Sequence, residues 1–104
     1  MTADEFRGLA LDLPEASERS HMNHPDFRVG GKIFATLGPH EEWGMVQLTP
    51  EQQAELIAAY PETFEPVKGA WGLKGATRVN LQPASERGVT RALDTAWKNI
   101  MAKR

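Results

Sequence analysis

The stretch 24–37, "HPDFRVGGKIFATL", decides the fold. Two runs rich in apolar and aromatic residues, "DFRV" and "KIFATL", flank Gly30-Gly31. A two-residue type I′ turn needs positive φ at both central positions, which glycine adopts without Cβ strain. Such a turn pairs Val29 with Lys32 and Phe27 with Phe34, leaving Ile33, Ala35 and Leu37 on the other face. The second run is apolar on both sides until Thr36, which suits a central strand rather than an edge.

Working outward, Thr2 to Leu13 reads as a helix. Thr2 and Glu5 have capping-box spacing, Phe6, Leu9, Ala10 and Leu13 recur at helical intervals, and Pro14 stops the run. "SERSHM" (17–22) alternates weakly, as a polar edge strand does. "WGMVQL" (43–48) is a strand. "TPEQQ" opens a second helix, with Thr49 as N-cap, Pro50 at N1 and Gln52 closing a capping box, and Pro61 ends it. Residues 61–75, "PETFEPVKGAWGLKG", read as a long, partly extended connection ending in a turn. "TRVNLQ" (77–82) alternates, with Val79 and Leu81 inward and Arg78 and Asn80 outward. Ser85 to Ala102 forms a last amphipathic helix that buries Val89, Ala92, Leu93, Ala96, Trp97 and Ile100. The order α-β-β-β-β-α-β-α predicts an α+β two-layer sandwich, an antiparallel sheet with helices on one face, in a single domain spanning 1–104.

Composition narrows the function classes. The 104 residues include no cysteine, which excludes disulfides, thiolate metal sites and cysteine nucleophiles. A small domain without such staples is expected in a reducing, cytoplasmic compartment. No apolar run approaches the ~18 residues a membrane span needs, and "MTADEF" lacks the features of a signal peptide. The net charge of −2 hides a split: residues 1–65 hold 4 Lys/Arg against 12 Asp/Glu, and residues 66–104 hold 8 against 2. Either the two halves neutralise each other in the fold, or the second supplies a basic binding face.

Four blocks, "LDLPEASERSH" (11–21), "PDFRVGGKIFATL" (25–37), "QLTPEQQAEL" (47–56) and "GAWGLKGATRVNL" (69–81), resemble the MmcQ/YjbR family in residues, spacing and order. The resemblance covers nearly the whole chain. It implies a frataxin-like or secretion-chaperone-like α+β fold, an antiparallel sheet with helices on one side. It also implies a bacterial, cytoplasmic protein of a kind usually described as DNA-binding, on the strength of a double-wing shape. Analogy at the level of fold carries no reaction or ligand by itself.

Catalytic and metal signatures are thin. His21, His24 and Asp26 offer H-x2-H-x-D, but an extended backbone puts the two histidine Cα atoms about 10 Å apart on opposite faces, so neither a metal nor another cofactor is expected. The iron chemistry of frataxins needs a dense acidic ridge. Asp4, Glu5, Asp12, Glu15 and Glu18 are spread out, with Arg7 and Arg19 among them. Ser20 and His21 point to opposite faces of any strand and form no nucleophile–base pair. With no nucleophile elbow and no phosphate-binding glycine loop before a helix, no enzyme is expected.

Nucleic-acid binding has more support. Arg28 and Lys32 surround Gly30-Gly31, Lys68 and Lys74 surround "GAWGLKG", and Arg78 projects from the following strand. These five are candidate phosphate contacts, and Trp71 is a candidate stacking platform for a base. Two structural alternatives stand beside this: Trp71 as a lid over the core, and Arg28 or Lys32 in an ion pair with Asp26 or a helix carboxylate. The helix stripe Arg87, Arg91 and Lys98 reads as self-paired through Asp94, four residues before Lys98. The competing function is a non-enzymatic protein-interaction or chaperone-like module, or a weak homodimer, docking through exposed apolar groups such as Met22, Trp43 and Met45.

Overall fold

Thr2 begins the first helix as its spacing predicts. Its hydroxyl accepts from the Glu5 amide and its own amide donates to the Glu5 carboxylate, at 3.1 and 2.9 Å. That second bond, the larger cause, holds the Glu5 carboxyl below its ordinary pKa. The computed structural model describes every residue except Asn23, Glu41 and Arg104, together with the His21 backbone but not its side chain. In chain order the elements are α1 (Ala3–Leu11), β1 (Ser17–His21), β2 (His24–Val29), β3 (Lys32–Leu37), β4 (Trp43–Gln47), α2 (Pro50–Ala59), β5 (Phe64–Pro66), α3 (Ala70–Leu73), β6 (Ala76–Asn80) and α4 (Glu86–Met101). The expected α+β architecture holds. The connection at 61–75 adds two short elements that its prolines and glycines masked, the three-residue β5 and the one-turn α3.

The strands form one antiparallel sheet in the order β1-β2-β3-β4-β6-β5. Gly30 and Gly31 take φ of 59° and 80°, and Val29 faces Lys32, as the turn requires. The next expected pair is corrected. Phe27 lies opposite Ala35, not Phe34, because Phe34 is an extra residue that bulges from β3. The bulge reverses the alternation beyond it. Ile33 faces away from the helices, Phe34, Ala35 and Leu37 are buried in the core, and Thr36 returns to the outer face beside Met45. β3 lies inside the sheet, as its two apolar faces predict.

Helices α1, α2 and α4 close the inner face. α4 packs across β2, β3 and β4 with Val89, Ala92, Leu93 and Ala96 buried, and α1 lies against it. Phe6 of α1 reaches the sheet, its ring tilted against Phe27 at 6.1 Å between centroids. Trp97 Nε1 donates to the Pro14 carbonyl at 2.9 Å, and a reciprocal amide pair joins Gln52 to Asn99 at 2.7 and 3.0 Å. On the outer side of α4, Lys98 pairs with Asp94 at 2.8 Å, as the spacing predicts, and Arg91 reaches Glu55 at 3.9 Å. Among the described residues no helix is long and apolar enough to cross a membrane.

Two glycine substitutions test this packing in opposite directions. Gly8 sits in α1 with open space where a Cβ would stand, so Gly8→Ala is expected to raise unfolding stability by about 0.5–1 kcal/mol. At Gly44 a Cβ would stand 3.0 Å from the Phe6 ring and 3.2 Å from the Thr36 carbonyl. Gly44→Ala is therefore expected to cost roughly 1–3 kcal/mol. Urea titrations of both variants read the two signs.

Candidate nucleic-acid interface

The register settles where the candidate residues lie. β3 begins at Lys32 beside the end of β4, and Gln47 at that end pairs with Ala76, the first residue of β6. Pro66, the last residue of β5, pairs with Thr77. Both glycine-rich turns, 30–31 and 67–75, therefore stand at the same end of the sheet. Their centres are three strand spacings apart, about 14 Å. Lys32, Lys68 and Lys74 are all exposed there. Among the described residues none of the three enters an ion pair.

The two arginines are placed differently. Arg28 lies on the outer face and grips Asp26 with Nε at 2.8 Å and Nη2 at 3.2 Å from the two carboxylate oxygens. Asp26 is completely buried. The Asp26 hydrogen bond raises the Arg28 pKa further, so the cation is fixed and its charge is used locally. The ion-pair alternative for Arg28 is the one observed. Arg78 also points outward, as expected, but its Nε donates to Asn80 Oδ1 at 2.9 Å and its guanidinium sits 5.0 Å from the Trp43 ring centre. That directs it toward the far end of the sheet. There it lines a wide hollow of about 690 Å³ with Glu5 and Glu42 rather than joining the lysines.

Trp71 is no lid over the core. It is 68% exposed, and its α3 neighbour Leu73 is 83% exposed. Trp71 walls a groove of about 380 Å³ on the outer face of the sheet, whose apolar lining is completed by Ile33, Trp43, Met45, Val67 and Ala76. Trp43 and Met45 are only half-exposed within it, whereas Met22 stands apart in the β1–β2 turn at 82% exposure. Sequence reasoning placed Trp43 and Met45 on a surface but missed the groove, because the inserted Phe34 brings Thr36 and Met45 to the face where Ile33 lies.

A network of close approaches holds Trp71 in place. A Cβ at Gly72 would fall onto the Val67 carbonyl, and one at Gly75, where φ is 109°, onto that of Leu48. Buried Gln53 of α2 directs its amide nitrogen at the Gly72 carbonyl (3.1 Å), the Ala76 carbonyl (3.0 Å) and Thr77 Oγ1 (3.1 Å). Gly72 and Gly75 thus serve tight packing around a one-turn helix between β5 and β6, and Gly69, at φ 82° with open space around it, begins that helix.

The histidine expectation also changes. β1 and β2 form a hairpin in which His21 and His24 are directly paired, so the two are not spaced along one extended strand. The His21 side chain, and with it part of the H-x2-H-x-D pattern, lies outside the described residues. Among the described residues no group of three or more potential metal ligands gathers.

The family model described as YjbR matches residues 11–99. No curated protein matches the sequence. The structure is similar to the crystal structure of Deinococcus radiodurans protein DR2400, which carries the family-model domain DUF419. The TM-score is 0.81 at 20% sequence identity, over 98% of this chain and 80% of that one. At that identity the likeness is one of fold.

The Gln53 contacts give a prediction. Gln53→Leu keeps the bulk but removes the side-chain donor shared by the Gly72 and Ala76 carbonyls, which keep their bonds from the Gly75 and Val67 amides, at an expected cost of about 0.5–1.5 kcal/mol. Hydrogen exchange at the Lys74 and Gly75 amides, which close α3 on Ala70, Trp71 and Gly72, should accelerate beyond the global loss of stability.

Proposed function

The chain belongs to the YjbR family, and from that premise we propose that it binds DNA through phosphate contacts made by the glycine-turn end of its sheet. One observation carries the reading: the topology brings two separate glycine-rich turns to one end, with exposed Lys32, Lys68 and Lys74 on or beside them. Flexible lysines beside turns are suited to phosphate contact, which supplies affinity without sequence readout. Arg28 and Arg78 are secondary in this reading, because Asp26 and the Asn80–Trp43 pair already hold them. The groove-side Trp71 is the one candidate whose aromatic surface is offered to a ligand. The function is non-catalytic and needs no cofactor. Cytoplasmic placement follows from the same reading.

A protein-docking module is the second reading, favoured by the exposure of Leu73 and Met22. Light scattering across a concentration series, followed by capture of a defined partner, would support it.

The DNA reading is tested by fluorescence anisotropy with labelled oligonucleotides over a range of salt. Three phosphate contacts predict a log–log salt slope of about −2 to −3. Lys32→Ala/Lys74→Ala should flatten the slope by about 1 per lysine and weaken all sequences alike. Equal, negligible binding by wild type and variant would sink the reading.

A further inference from the structure

The outer-face groove has a composition that phosphate contact alone does not use. Its floor and walls are apolar, and among the described residues its polar contributions, His24, Thr36 and Gln47, include no carboxylate. Asp26 lies on the same face but is buried under its pair with Arg28. The exposed Glu65, on the β5 edge, stands opposite Arg78 and accepts from Asn80 at 2.9 Å. Lys68 and Lys74, three residues before and after Trp71, are exposed at the glycine end of the sheet and stand outside the groove's own lining.

The two tryptophans are not equivalent. Trp43 is engaged on its ring by the Arg78 guanidinium and packs against Gly38, where any Cβ would collide with it. Trp71 is exposed, and it is the backbone next to it, at Gly72, that the Val67 approach and the Gln53 bond hold. An uncovered indole beside a largely apolar hollow, with exposed lysines three residues away on either side in sequence, complements a ligand that is planar and apolar in one part and anionic in the next. A nucleotide in a single strand has that form. In a duplex the base faces are already stacked on one another and only edges are offered, whereas an unpaired base presents its face to an aromatic ring.

We infer that the groove seats an unpaired nucleobase against Trp71, with the flanking phosphates on Lys68 and Lys74, so that the strand bound is single. This rests on the DNA-binding reading and specifies its substrate class. A groove of about 380 Å³ has room for one base and part of its sugar, not for a run of stacked bases, so sequence preference is weak.

The test uses the full chain and three labelled probes of equal length: a single-stranded oligothymidine, the same backbone with abasic sites replacing every base, and a duplex. The single strand should bind at least ~10-fold tighter than either of the others, and it should quench tryptophan emission. Trp71→Ala should weaken oligothymidine binding roughly five- to hundredfold, the range for loss of one stacked base, with its salt slope unchanged. Trp71→Phe should restore much of the loss. Lys68→Ala/Lys74→Ala should flatten the slope for all three probes. Because Trp71 is mostly exposed, Trp71→Ala is expected to keep the wild-type unfolding midpoint. Equal affinity for the abasic and thymidine strands, or no effect of Trp71→Ala, overturns the groove inference while the lysine reading stands. Absence of binding to all three probes overturns both. A mass that doubles with concentration, and returns to monomer in Trp71→Ala, also overturns it by assigning the groove to a second copy.

Discussion

The placement of side chains across the middle of the sheet depends on one extra residue in β3. From the Gly30-Gly31 turn, an uninterrupted ladder would carry Lys32, Phe34 and Thr36 on one face and Ile33, Ala35 and Leu37 on the other. The bulge at Phe34 reverses this order from Ala35 onward. Phe34, Ala35 and Leu37 all reach the core, and the Thr36 hydroxyl leaves it. β4 then takes its register from the reversed half of β3, with Val46 inward beside Ala35 and Met45 outward beside Thr36. β6 follows β4, so Val79 is buried and Arg78 is outward. A shift of one residue at this point would present Leu37 to solvent and close the apolar groove.

The inner and outer faces meet at Gln53. It belongs to a helix of the inner layer, yet its side chain reaches the backbone of α3 and the start of β6. Through it, the capping box at Thr49 and the packing of α2 are connected to a one-turn helix that has little hydrophobic anchorage of its own. Both α3 residues with large side chains, Trp71 and Leu73, face solvent. The segment is held by polar bonds and by glycines that let backbone lie on backbone, and this leaves the indole available.

Most of the fold was legible because its signals were local. Thr2 and Thr49 announced their capping boxes, Gly30-Gly31 their turn, and the α4 stripe its buried face. What was hidden depends on contacts between distant segments. Nothing near Phe34 marks a bulge, since "KIFATL" is apolar enough to satisfy either register. β5 and α3 were unreadable because Pro66 and three glycines suppress propensity signals that tertiary packing then overrides. Among the candidate site residues, sequence distance gave no hint that Lys32 and Lys74 share an end of the sheet. It did suggest the Asp26–Arg28 pair, two residues apart on one face of a strand.

The closeness of Gly75 to Leu48 has a kinetic side. β1 to β4 are a meander of sequence neighbours, each strand within a short turn of the next. β6 must find β4 across the whole excursion from Leu48 to Gly75, and that junction is where the Leu48 amide meets the Gly75 carbonyl at 3.3 Å. Closing so long a loop costs chain entropy before its contacts can compensate, and non-local pairing of this kind governs the speed at which small domains fold. The meander can assemble early, whereas β5, α3 and β6 arrive together, and the sheet becomes six-stranded only when a residue without a side chain reaches the end of β4. Gly75 thus sits at the junction that this long closure has to make, as well as at a tight spot in the native state.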